Sequence, residues 1–173
     1  MSNTTPSRKR LYSILAPSGL LLLLAAAFWY YNSEHPAPSA LPQLVLPSLG
    51  GDHVALDHLQ GKPLVLNLWA TWCPPCRAEL PLLIKARQSH PGIRFYFAEQ
   101  GNAYNNVDAF AKKYALPLPL VLLDTNTKLS QFYGVLGYPT TVFYNSHGNI
   151  VKIYRGELKP AVLQQYLEQI TQR

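Results

Sequence analysis

The segment from Pro63 to Arg77 constrains this chain most. Leu64–Val65–Leu66–Asn67–Leu68–Trp69–Ala70 is apolar except at Asn67. That is the pattern of a strand covered on both faces, in a sheet flanked by helices. Trp72–Cys73–Pro74–Pro75–Cys76–Arg77 follows almost at once. Proline presets a helical φ and lacks an N–H that a first helical turn does not use. The segment therefore predicts a helix from Pro74 to about Ser89, with Leu80, Leu83, Ile84 and Ala86 on its apolar stripe. Pro81, inside it, predicts a bend. Cys73 then falls at the N-cap, Pro74 at N1, Pro75 at N2 and Cys76 at N3.

The remaining pattern extends this unit into a layered domain. Leu44–Leu46 and Val54–Leu56 are short strand candidates on either side of the turn Gly50–Gly51–Asp52. Ile93–Ala98 reads as a strand, Val107–Tyr114 as a helix, Leu118–Leu123 as a strand and Lys128–Tyr133 as a short helix. Thr141–Tyr144 and Ile150–Tyr154 form a hairpin about Ser146–His147–Gly148–Asn149. Pro160 opens a last helix, with Val162, Leu163, Tyr166, Leu167 and Ile170 available for packing. Such an order predicts an α/β/α three-layer domain with a mixed central sheet over residues 44–173.

The N-terminal part is of another kind. Residues 1–10 carry Arg8, Lys9 and Arg10 and no acid, and no charged residue occurs from Leu11 to Ser33. About 20 apolar residues span a hydrocarbon core of ~30 Å. The basic cluster before the run and Phe28–Trp29–Tyr30–Tyr31 at its end fit the positive-inside rule and an interfacial belt. The reading is a cytoplasmic tail over residues 1–10, a transmembrane signal anchor over 11–31 and a proline-rich linker over 32–43. The rival is a cleaved leader, for which Ala25 and Ala27 supply an A-x-A pattern. Both send the C-terminal domain across a membrane. The formal charge is +6; without the basic tail about +3 remains, scattered and without interleaved aromatics, which gives nucleic-acid binding no support.

Cys73 and Cys76 are the only cysteines. A structural zinc site needs about four ligands, and none of His35, His53, His58, His90 and His147 has paired spacing near them. A c-type haem needs His after the second cysteine, where Arg77 stands. An inert disulfide closing so short a loop restrains the unfolded chain little. A redox pair fits better: the N–H of Cys76 is free to point back at the sulfur of Cys73, and with the helix field it favours thiolate. Cys73 is then the exposed outer nucleophile and Cys76 the shielded resolving thiol. No organic cofactor or metal is required. Trp72 flanks the pair, or serves only as an edge contact of the domain. Gly137–Tyr138–Pro139–Thr140–Thr141 is a second element: Pro139 either merely starts a strand or, if its peptide bond is cis, holds backbone open beside Cys73 for an extended substrate.

The stretch from Gly61 to Pro81, together with Gly137–Thr141 and Val121–Leu122–Leu123–Asp124, resembles the thioredoxin superfamily, and within it the membrane-anchored TlpA/ResA/CcmG-like branch. The match is strong around the cysteines and weaker over residues 41–171. The resemblance implies a thioredoxin-like fold preceded by one transmembrane helix. It makes Cys73 the attacking and Cys76 the resolving thiol, Pro139 a cis-proline facing them, and Trp72, Pro74, Pro75, Tyr138 and Pro139 the substrate-contacting residues. It also implies a thiol–disulfide oxidoreductase at a bacterial inner membrane, with its domain in the periplasm or outside. Such a protein keeps extracytoplasmic protein disulfides reduced, in cytochrome c maturation, oxidase assembly or general thiol maintenance, and is itself reduced by a membrane electron-donor protein. A disulfide-introducing oxidase or isomerase, a non-enzymatic peptide-binding assembly factor and a peroxide reductase are the rival readings. Two departures stand out. Thioredoxins carry a buried Asp where this chain has Asn67, an amide that cannot take a proton from Cys76. The branch's Glu after the next strand falls on Asn102, with Glu99 three residues earlier as the alternative carboxylate.

Overall fold

The computed structural model describes residues 20–30 and 39–172. Residues 20–30 form one helix, α1, on which Leu20 to Leu24, Phe28, Trp29 and Tyr30 are exposed. At ~1.5 Å per residue it is about 16 Å long, roughly half a hydrocarbon core. Among the described residues no helix is long and apolar enough to cross a membrane. The expected span over 11–31 and linker over 32–43 lie partly outside the described residues, at 11–19 and 31–38.

The C-terminal unit follows the order β1 (Val45–Pro47), β2 (His53–Ala55), β3 (Leu64–Trp69), α2 (Pro74–Ser89), β4 (Arg94–Gln100), α3 (Tyr104–Lys113), β5 (Val121–Asp124), α4 (Lys128–Tyr133), β6 (Thr140–Tyr144), β7 (Ile150–Arg155) and α5 (Pro160–Thr171). β1 and β2 form a small antiparallel ribbon, and the main sheet runs β5-β4-β3-β6-β7. β3 is parallel to β4 and antiparallel to β6. All six residues of β3 are buried, as its apolar run demands. Its side chains alternate between two cores. Val65 and Trp69 join the cluster under α2, α3 and α5, while Leu64, Leu66 and Leu68 join the one built with Leu129 and Tyr133 of α4 and with Leu46, Leu56 and Leu59. Helices thus cover both faces of a mixed sheet, the three-layer arrangement expected.

The differences from the sequence pattern have local causes. The strand expected from Leu118 begins only at Val121, because Pro119 has no N–H for a ladder; Leu118–Leu120 coils into a 3-10 turn, with the Leu120 N–H donating to Pro117 O at 2.8 Å. β4 runs past Ala98 through two polar residues, Glu99 and Gln100, which are buried and hydrogen-bonded. Helix α3 begins at Tyr104, three residues before the apolar face does, since its first turn is exposed. The domain also begins before Leu44. Leu41 is buried in the second core, and its N–H donates to Gly148 O at 3.1 Å. α2 continues through Pro81, which lies on its exposed side.

Topology places the site. Because β3 and β6 are antiparallel, with Leu68 opposite Thr140, the residue before β6 lies beside the residues after β3. Pro139 is thereby brought to the end of the sheet where the chain leaves toward Cys73. The parallel partner β4 places Glu99 opposite Trp69 at the same end.

Candidate active site

Cys73 and Cys76 are joined as a disulfide. Cys73 is the N-cap of α2, with prolines at N1 and N2, and its Sγ accepts the Cys76 N–H at 3.2 Å. The helix start inferred from the prolines is thus realised residue for residue. The expectation of an exposed outer sulfur is not: Cys73 is only 2% exposed and Cys76 is fully buried. The reason is packing. Both half-cystines belong to the core that includes Trp69, Ala70 and Leu80, and Tyr138 packs against the same cluster. The neighbours of Cys73 in the chain, Trp72 and Pro74, are exposed, which places the sulfur just under the surface. Pro75 is half-buried.

The Tyr138–Pro139 peptide bond is cis. Pro139 is buried, and its carbonyl accepts the Gly156 N–H at 2.9 Å. The rings of Trp72 and Tyr138 are 6.0 Å apart and tilted by 60°. The two segments that supply the sequence candidates therefore meet at one end of the sheet.

One residue of this region escaped the sequence pattern. Glu79, three residues after Cys76 on the same face of α2, is 1% exposed. Its Oε1 accepts from Asn67 Nδ2 at 2.7 Å and its Oε2 accepts from the Leu158 N–H at 2.7 Å. Burial pushes its pKa from 4.5 up to about 7, against the opposing pull of the two hydrogen bonds. Asn67 also donates to Thr141 Oγ1 at 2.9 Å, its partner across β3 and β6. The amide that cannot take a proton thus anchors a carboxyl that can. A signal existed in the pattern: position 79 falls on the same stripe as Leu80, Leu83 and Cys76, where an unpaired acid has no place.

Glu99, the alternative carboxylate, is fully buried and committed elsewhere. It accepts from the Thr71 N–H at 3.4 Å and from the Asn102 N–H at 3.1 Å, and bonds the Asn102 side chain as well. Burial raises its pKa too. Its bonds hold the backbone two residues before Cys73. Among the described residues no group of three or more His, Cys, Asp or Glu could hold a metal ion.

A disulfide-linked pair spaced C-x-x-C at a helix N-terminus, with a cis-proline at the same end of a mixed sheet, defines a thiol–disulfide oxidoreductase of the thioredoxin superfamily, TlpA/ResA/CcmG-like in type. The Redoxin family pattern matches residues 36–169, and the chain belongs to that family. It is 32% identical over 170 residues to the thiol-disulfide oxidoreductase ResA of Halalkalibacterium halodurans, covering 94% of this chain and 96% of the relative. It is 30% identical to ResA of Bacillus subtilis, covering 88% of this chain and 90% of that one. Of solved structures, MTB DsbF in its mixed oxidised and reduced forms superposes with a TM-score of 0.71 at 30% identity, over 78% of this chain and 99% of that chain. A secreted Mycobacterium tuberculosis disulfide oxidoreductase homologous to E. coli DsbE gives 0.66 at 27% identity, over 73% and 96%.

Proposed function

We propose that this protein is a membrane-anchored reductase of extracytoplasmic protein disulfides, with Cys73 as nucleophile and Cys76 as resolving thiol. The observation that carries it is the Cys76 N–H aimed at Cys73 Sγ at the start of α2. Once the pair is reduced, hydrogen bonding and the helix field both stabilise a thiolate there. In the reduced enzyme the Cys73 thiolate attacks one sulfur of a substrate disulfide. An S–S bond forms to Cys73 as the substrate's own breaks, and the departing thiolate takes a proton from water. Cys76 then loses its proton and attacks Cys73 Sγ. The second substrate sulfur leaves, and two electrons have passed from the Cys73–Cys76 pair to the substrate. Glu79, one helical turn from Cys76 and with a pKa about 7, is the group suited to accept the Cys76 proton. Trp72, Pro74, Pro75 and Tyr138 form the surface that receives the polypeptide, the buried cis Pro139 sets the backbone behind it, and a membrane electron-donor protein returns the pair to the dithiol.

A Cys76→Ser variant cannot resolve the mixed disulfide. It is expected to retain its substrate on Cys73 as an adduct that a thiol reductant releases, with mass spectrometry naming the partner. Recovery of apocytochrome c places the protein in cytochrome c maturation, and recovery of an oxidase subunit or copper chaperone places it in oxidase assembly. No adduct in the cell envelope counts against the reading. Direction is read from the potential of the pair: a value near about −120 mV is that of a strong oxidant and would reverse the assignment.

The apolar, exposed surface of α1 and the uncharged run around it support the anchor. Deleting residues 1–31 is expected to move the protein from the membrane to the soluble fraction while its rate of insulin reduction stays within about twofold of the full chain, since none of the groups described at the disulfide comes from that segment. Membrane retention of the deleted form would remove α1 as the anchor.

A further inference from the structure

A buried polar chain runs from the rim of the site into the sheet. Tyr138 is half-buried, and its hydroxyl lies 2.8 Å from Ser130 Oγ on α4. Ser130 Oγ donates to Gln100 Oε1 at 2.7 Å. A serine has one proton to give. With that proton on Gln100, the Tyr138 hydroxyl must be the donor to Ser130. Gln100 Nε2 in turn donates to Ala98 O at 3.3 Å. Every link thus has a single direction, and the chain ends on the backbone of β4. Ser130 is itself held in place, because Asp124 accepts the N–H groups of Lys128 and Leu129 at 2.9 and 2.8 Å and ties α4 to the end of β5. Gln100 and Ser130 are 2% and 8% exposed.

Apolar side chains would fill this space without the cost of burying polar groups. What the hydroxyl chain adds is orientation. A tyrosine side chain has few torsions, and pinning its oxygen fixes χ1 and with it the long axis and position of the ring. That ring stands 6.0 Å from Trp72, which precedes Cys73, and belongs to the residue that precedes cis Pro139.

We propose that Ser130 and Gln100 are positioning residues for substrate selection, holding Tyr138 as a fixed wall beside the disulfide so that polypeptide disulfides dock in one pose. The proposal rests on the polypeptide-reductase reading above. A small disulfide makes no use of the wall and is insensitive to it. The pre-set ring lowers the ordering cost of binding an extended chain, an effect on KM and not on the exchange step.

The test uses Tyr138→Phe, Ser130→Ala and the double variant, with insulin as polypeptide disulfide and hydroxyethyl disulfide as small one. The loss of one hydrogen bond is expected to raise KM for insulin roughly three- to tenfold in each single variant. Because both act through one chain, the double variant should match the singles and not multiply them. In Ser130→Ala, kcat for insulin and the rate with hydroxyethyl disulfide stay within about twofold. Nuclear Overhauser contacts between Tyr138 and Trp72 should weaken in Ser130→Ala. Unchanged KM for insulin, multiplicative effects, or equal losses on both disulfides overturn the positioning role while leaving the reductase intact. Wild-type protein that turns over hydroxyethyl disulfide but not insulin overturns the polypeptide reading, and the selectivity proposal with it.

Discussion

Cys73→Ser is expected to lower insulin reduction by at least about 10³-fold, because it removes the only group at the helix N-cap able to form a sulfur–sulfur bond with substrate. Serine still accepts the Cys76 N–H, so the helix start survives; serine is among the best N-cap residues. The fold should survive as well. The lost disulfide spans a sequence separation of 3, a loop whose closure contributes about 2 kcal/mol in the chain-entropy account. Far-UV circular dichroism should therefore match the wild type while turnover vanishes. Retained turnover would move the chemistry away from Cys73 and support a peptide-binding role instead.

Glu79→Gln is expected to have two large and separable effects, both traced to one buried carboxyl. The first is kinetic. If Glu79 receives the Cys76 proton, resolution of the mixed disulfide accelerates as pH rises through about 7, where Glu79 becomes ionised. A glutamine cannot take that proton. The step should slow by about 10²-fold above neutral pH, and its pH limb should flatten. Rapid-mixing measurement of substrate release from the pre-formed mixed disulfide isolates this step. A variant with the wild-type limb would assign the proton to another group.

The second effect is on stability. Glu79 titrates near 4.5 when unfolded and near 7 in the folded protein, so the folded state binds the proton more tightly. That contribution is fully present below about pH 4.5, declines as pH rises, and is gone above about pH 7. Its size is roughly 3 kcal/mol for a group this buried. Denaturant titrations should show this loss in the wild type. In Glu79→Gln they should show a shallower profile, leaving the contribution of Glu99, whose pKa burial also raises. Glutamine also turns one acceptor into a donor against Asn67 or Leu158, so the variant is less stable than wild type at low pH.

The legible and illegible parts of this protein divide by range of interaction. The start of α2 was legible because it is covalent and local: proline at N1 and N2 leaves the chain few alternatives, and Cys76 necessarily falls within reach of Cys73. Burial of β3 was legible because its residues must leave water whatever surrounds them. The burial of Cys73 was not, since it depends on a core assembled from distant segments, with Tyr138, 65 positions away, among the residues packed against it. Glu79 is half legible: its place on the stripe of Leu80 and Leu83 marks it as buried, but only the meeting of α2 with Asn67 on β3 and with the Leu158 N–H supplies its partners. Glu99, the alternative carboxylate, is committed by the structure to Asn102 and to the Thr71 N–H.

Local stereochemistry by itself therefore determined the helix that carries the cysteines, their order as N-cap and N3, and the membership of the sheet. Tertiary structure alone decided which carboxyl attends the pair, how deeply the sulfurs lie and what orients Tyr138. The physical reason is that a dihedral preference acts within a few residues, whereas desolvation and hydrogen-bond pairing depend on which distant segments the closed core brings together.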